Sequence, residues 1–148
     1  MLVQRGYVIY MVDNRGSAGR GKPWEDAVAG EFGPRELEDQ LSGLAYLKDQ
    51  SWVDKDRITL FGWSYGGFMT LYALTRSAAW AAGIAVAPVT DWMLYDSIYT
   101  ERYLGLPDQN PEGYKRSSPI HQAEKVRAPL MLAHGFRDDN VHVSHTIG

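Results

Sequence analysis

A chain of 148 residues with 45% hydrophobic content has the size and apolar share of one folded domain, which excludes a disordered or fibrous protein. Its formal net charge of -3 excludes the basic field that gathers nucleic acid or an anionic membrane surface. Cysteine is absent, so disulfides, thiolate catalysis and sulfur-ligated metals are excluded, and cysteine usage carries no signal about the compartment.

No apolar run reaches the roughly 18 residues needed to span a bilayer, and Gln4 and Arg5 interrupt the place where a signal core would lie. Tyr7–Val12 is a continuous apolar, β-prone run that ends at the turn formers Asp13-Asn14-Arg15-Gly16-Ser17, which predicts a buried strand and a loop. The next segment, with Gly19, Gly21 and Gly30, is predicted irregular as far as Gly33-Pro34. There, proline at a first helical position opens a helix with Leu37, Leu41, Leu44 and Ala45 on one face. Gly43 lies inside it at a cost of about 1 kcal/mol relative to alanine, which implies close packing on a neighbour.

Ile58–Phe61 predicts a second strand and Phe68–Thr75 a second helix, with Ala82–Pro88 and Pro129–Gly135 as further strands. Between them, Tyr103–Ser118 is polar and carries Pro107, Pro111 and Gly113, which predicts a surface excursion. The strand runs are apolar throughout, the pattern of strands covered on both faces by helices, so the class is α/β with a parallel sheet. Ligands collect at the carboxyl ends of such strands. Asp13, Ser64, Val89 and Asp138 each follow a predicted strand, so one rim gathers the candidates for chemistry.

The most informative stretch is Gly62-Trp63-Ser64-Tyr65-Gly66-Gly67, set between the second strand and its helix. Glycine-x-serine-x-glycine in that setting has the form of a nucleophile elbow, although the five-residue pattern alone also arises by chance in glycine-rich turns. A serine at the apex of so tight a turn is strained, and Gly62 and Gly66 are expected to supply the room. The geometry lifts the Ser64 hydroxyl off the sheet and aims the first helical amides at charge developing on an attacked carbonyl.

With Asp13–Ser17, Gly62–Gly67, Ala87-Pro88-Val89, Trp92, Tyr95–Ser97, Tyr99–Tyr103, His134-Gly135 and Asp138–Val141 in this order, nearly the whole chain resembles the prolyl oligopeptidase family of serine peptidases, in its dipeptidyl peptidase IV-like branch. The resemblance implies an α/β-hydrolase fold, with Ser64 as nucleophile and Asp138, in preference to Asp139, as the acid that orients a catalytic histidine. It implies an oxyanion amide at Tyr65 and a small pocket walled by Tyr65, Val89, Trp92, Tyr95, Tyr99 and Val141, with Asn140 on a substrate carbonyl. Trp92, Tyr95 and Tyr99 also fit a helix face buried as ordinary core.

The implied reaction is acyl transfer on a peptide substrate, cleaving after proline or alanine near an amino terminus, with no metal or organic cofactor; the longer parent is compatible with a homodimer. His121 is expected at the surface and His134 in a structural position, while His142 and His145 lie too near Asp138 in sequence to turn back over the elbow. The catalytic histidine is therefore expected beyond Gly148, a second oxyanion donor from a tyrosine hydroxyl before Met1, and an N-terminal β-propeller outside this segment. A strand encoded before Met1 is expected between the Val12 and Phe61 strands, so the segment alone presents unpaired strand edges. The alternatives are an acylaminoacyl peptidase, a prolyl endopeptidase or a carboxylesterase of the same fold, and a non-catalytic hydrolase-like binding protein.

Overall fold

The computed structural model describes residues 2–147. In chain order it contains helices α1 (Lys22–Glu25) and α2 (Pro34–Lys48), strand β1 (Thr59–Trp63), helix α3 (Tyr65–Arg76), strand β2 (Ala82–Val86), helices α4 (Ser97–Leu104) and α5 (Pro111–Ser117), strand β3 (Leu130–Ala133) and helix α6 (Ser144–Ile147). Short 3₁₀ turns join them, among them Trp92–Leu94 and Pro119–Lys125. The strands form one parallel sheet in the order β1-β2-β3. Trp63 pairs with Val86 and Val86 with Ala133, so all three strands end level and their following loops share one rim.

Helix α3 is buried almost all round, including Phe68, Leu71, Tyr72 and Leu74, because it lies on the sheet face formed by Leu60, Gly62, Gly83 and Ala85 and is itself crossed by other segments. The opposite sheet face carries Phe61, Trp63 and Met131 at 67%, 69% and 59% exposure. So much apolar surface, beside an unpaired outer edge of β1, is a template for association. Residues 1–148 produced alone are expected to self-associate. Light scattering that showed a monodisperse monomer, with a cooperative thermal transition, would contradict this.

Tyr7–Val12, expected as a strand, is not one. A strand persists by pairing its backbone groups with a neighbour, and among the described residues no strand runs beside it. The segment instead lies on α2, where the Tyr10 ring stacks on Tyr46 with centroids 6.2 Å apart. A Cβ added at Gly43 would come within 3.2 Å of the Tyr10 ring and 3.5 Å of Val12, which is the close packing that the helical glycine implied.

The Asp13–Ser17 loop is tied to the same helix. Arg15 donates from its backbone amide to Asp39 at 2.7 Å and from its guanidinium to Asp39 and Glu38, both at 2.7 Å. Hydrogen bonds from the guanidinium hold both carboxyls below their usual range. The buried stripe of α2 runs through Glu36, Leu37, Gly43 and Leu44, and Ala45, expected on it, is exposed.

Residues 103–118 are a surface excursion only in part, with Asp108, Gln109, Glu112, Lys115 and Arg116 exposed. They include the end of α4 and all of α5, with Tyr114, Ser117 and Ser118 buried. Their polar atoms turn inward to serve backbone groups: Asn110 donates to the Gly30 and Leu104 carbonyls at 2.8 Å, and the Ser117 hydroxyl accepts from the Phe32 amide at 2.9 Å. Part of the polar composition here thus serves internal hydrogen bonding.

Candidate active site

Ser64 stands between the last residue of β1 and the first of α3 with φ 55° and ψ −116°. Such a backbone costs a non-glycine residue about 1–3 kcal/mol and persists only where its surroundings enforce it. They do so here through the Ser64 amide, which donates to the Val86 carbonyl, and the Ser64 carbonyl, which accepts from the Phe68 amide, both at 2.9 Å. The side chain does not cap α3, so the half-buried hydroxyl is left for another partner. The only other described non-glycine residue with positive φ is Ala87, at 42°, on the same rim just past β2.

Of the flanking glycines, Gly62 is the tight one. A Cβ there would lie 2.0 Å from the Gly66 carbonyl oxygen, and one at Gly67 would lie 2.9 Å from the Val86 carbonyl oxygen. Gly66 was expected to be required for its size, yet a Cβ on it meets nothing within 4 Å. The close approach is made by its backbone, and its side-chain direction faces an open cleft.

Asp138 follows β3 at the same rim. Its Oδ1 accepts from the Asn140 and Val141 amides, both at 3.0 Å, while Asp139 is exposed. One carboxylate oxygen is thus held by backbone and the other remains available. Since β2 lies between β1 and β3, two strand spacings of about 4.8 Å separate the elbow from the end of β3.

Three of the four histidines are held by other contacts, and the fourth, His121, lies at the surface. His134 contacts the Val141 carbonyl through Nε2 and the Thr146 hydroxyl through Nδ1, each at 2.7 Å, and stands 3.8 Å from Asp138. His145 is buried; its Nδ1 accepts from the Thr90 amide at 3.2 Å, and burial lowers its pKa. His142 bonds Ser144 at 3.0 Å, and His121 is exposed as expected.

The predicted wall residues form one cluster, although Trp92, Tyr95 and Tyr99 do not share a helix face. Trp92 opens a 3₁₀ turn, Tyr95 follows it in extended backbone, and Tyr99 lies in α4. Their rings meet at centroid distances of 5.6 to 6.1 Å, and Trp92 lies 5.8 Å from Tyr65. Tyr65, Tyr95 and Tyr99 keep partial exposure, whereas Val89, Trp92 and Val141 are buried behind them. The Tyr95 hydroxyl donates to Asn140 Oδ1 at 2.6 Å, which joins this cluster to the Asp138 loop. Burial raises the pKa values of Tyr65, Tyr95 and Tyr99, that of Tyr99 to about 12, so all three remain protonated at neutral pH.

Two contributors escaped the sequence reading. Phe32 packs centrally in the cluster, 4.6 Å from Trp92 and 5.6 Å from both Tyr65 and Tyr103. Glu36 is buried and accepts a 2.5 Å hydrogen bond from the Tyr65 hydroxyl. Its helical position gave one signal, since a glutamate at N3 after a Gly-Pro start can reach back to the cap, as it does to the Gly33 amide at 2.8 Å.

A cleft of about 390 Å³ lies beside the elbow rather than at its mouth. It is lined by Asn14, Gln40, Phe61 and Met69, with Tyr65 and Tyr99 as the predicted pocket residues that it touches. It opens between the Asp13–Ser17 loop and β1, the gap where the family resemblance implies another strand.

A model described as the prolyl oligopeptidase family matches residues 1–148. Mouse dipeptidyl peptidase 8 is 49% identical over 98% of this chain, and the chain spans 17% of that protein. A probable dipeptidyl-aminopeptidase B of Aspergillus terreus is 44% identical over 96% of the chain, which spans 16% of it. A crystal structure of Porphyromonas gingivalis dipeptidyl peptidase 4 superposes with a TM-score of 0.88 at 42% identity, over 91% of this chain and 19% of the other. The chain is thus similar to about a sixth of the length of its curated relatives.

Proposed function

Because this chain belongs to the prolyl oligopeptidase family, we propose that it is the central part of the catalytic domain of a serine peptidase that releases dipeptides from peptides with proline or alanine in the second position. The observation that carries the reading is the strained Ser64, set on one rim with an organised Asp138. Strain at a non-glycine residue whose side chain serves no fold purpose is the expected signature of a displayed nucleophile.

Ser64 attacks the scissile carbonyl, and a histidine from outside this segment, oriented by Asp138, takes the hydroxyl proton and then delivers it to the leaving amine. Water hydrolyses the resulting acyl-enzyme. The Tyr65 amide, first in α3 and without an intrahelical partner, stabilises the oxyanion. Tyr65, Tyr95 and Tyr99 present flat apolar surface of a size suited to a pyrrolidine ring, backed by Val89, Trp92 and Val141. Asn140, held by Tyr95, has its amide group free to donate to the preceding substrate carbonyl. The similarity to proteins named dipeptidyl peptidase supports exopeptidase action in preference to endopeptidase or esterase action.

The test uses the longer protein that carries this segment. Release of dipeptides from Xaa-Pro arylamides, with no cleavage of blocked internal prolyl bonds, is expected. Cleavage of the blocked peptides alone would reassign it as an oligopeptidase.

A further inference from the structure

We propose that Glu36 is a positioning residue for acyl transfer, holding the residue next to the nucleophile by its ring hydroxyl; this rests on the reading of Ser64 as nucleophile. Glu36 is 1% exposed and has the Phe32 and Tyr65 rings beside it in the lining of the cleft. No salt bridge serves it among the described residues, and a charge acting on it, that of Asp39, is also negative. A carboxyl so placed is unfavourable unless its oxygens are hydrogen-bonded. Both are: Oε2 accepts from the Gly33 amide at 2.8 Å and Oε1 from the Tyr65 hydroxyl at 2.5 Å.

The consequence lies in what each partner is attached to. Gly33 caps α2, and Tyr65 is the first residue of α3 and directly follows Ser64. The Tyr65 ring is otherwise held by edge and tilted contacts with Phe32, Phe68 and Trp92, which constrain its plane only weakly. Its hydroxyl is its one directional attachment. Glu36 therefore couples the start of α2 to the elbow and sets together the direction of the Tyr65 amide and the position of one pocket wall. Burial, the largest influence on Glu36, raises its pKa, and the hydrogen bonds from Tyr65 and Gly33 oppose that rise.

The test is a double-mutant cycle in the longer protein, with Ser64 labelling by a fluorophosphonate measured alongside hydrolysis of an Xaa-Pro arylamide. Glu36→Leu and Tyr65→Phe are each expected to lower kcat/KM about 10-fold, mostly through kcat, and the double variant no further than the worse single one. Glu36→Gln is expected to stay within about 3-fold of the parent, because the amide oxygen still serves Gly33 and the NH₂ group donates to the Tyr65 oxygen.

Losses that multiply in the double variant would overturn the proposal. So would a lowered Tm with unchanged kcat/KM, which would mark a role in folding alone. Should Glu36→Leu fail to fold, Tyr65→Phe and Glu36→Gln read the same contact, and an unchanged kcat/KM in Tyr65→Phe, or a loss in Glu36→Gln as large as that in Tyr65→Phe, would overturn it as well. Labelling that survives Ser64→Ala would sink the nucleophile assignment itself, a result separate from any outcome at Glu36.

Discussion

Replacing Ser64 by alanine in the longer protein is expected to lower peptidase turnover by roughly 10⁶-fold and to abolish fluorophosphonate labelling, with little change in Tm. The size of the effect follows from what the hydroxyl does: it forms the covalent intermediate, and no neighbouring group can replace it. The small change in stability follows from the structure, since the Ser64 side chain makes no cap bond and its backbone hydrogen bonds to Val86 and Phe68 do not involve Oγ. Alanine adopts the same strained backbone at similar cost. Asp138→Asn is expected to lose about 10⁴-fold, because an amide facing the imidazole favours the wrong tautomer while the two backbone bonds to its other oxygen survive. Retained activity in Ser64→Ala, measured as arylamide hydrolysis at saturating enzyme, would end the acyl-enzyme mechanism.

Gly62→Ala is expected to destabilise the fold by about 4 kcal/mol or more, and Gly66→Ala by less than about 1 kcal/mol. Two glycines of one motif differ because their hydrogens point in different directions. A Cβ at Gly62 would sit 2.0 Å from the Gly66 carbonyl oxygen and 2.2 Å from its carbonyl carbon, and backbone atoms locked into α3 cannot yield. Either β1 or the start of α3 must move, and both belong to the sheet–helix pair that forms the core. At Gly66 the same atom enters open space. Thermal denaturation of the two variants is the measurement; equal losses of stability would show that the elbow relaxes and that the tight contact is not structural.

The strands β1, β2 and β3 were legible because each is a short apolar run bounded by turn formers, and a strand covered by a helix needs little more than that. Tyr7–Val12 has the same pattern and is not a strand, since pairing depends on a neighbour and no local property of six residues supplies one. The aromatic cluster was legible only in part. Trp92, Tyr95 and Tyr99 could be named, but their spacing allowed a helix face, and a 3₁₀ turn and an extended linker were required to point the rings at one another. Phe32 joins them from a distant loop that no spacing connects to them. The polarity of 103–118 misled in part, for a related reason: Asn110, Ser117 and Ser118 bond inward to backbone groups that lie dozens of residues away in the chain.

Residue order and type alone determined the membership of the family, the place of the serine at a strand-to-helix turn, the acid after the last strand and the absence of thiol chemistry. These are properties of short segments, where allowed backbone angles and side-chain chemistry act locally. Tertiary structure alone decided which glycine is sterically indispensable, that Glu36 is buried against the Tyr65 hydroxyl, and that all four histidines are held away from the elbow or left at the surface. Each of those outcomes depends on an atom brought close by folding from a separate element, and contact distance across a core is not encoded in any one stretch of the chain.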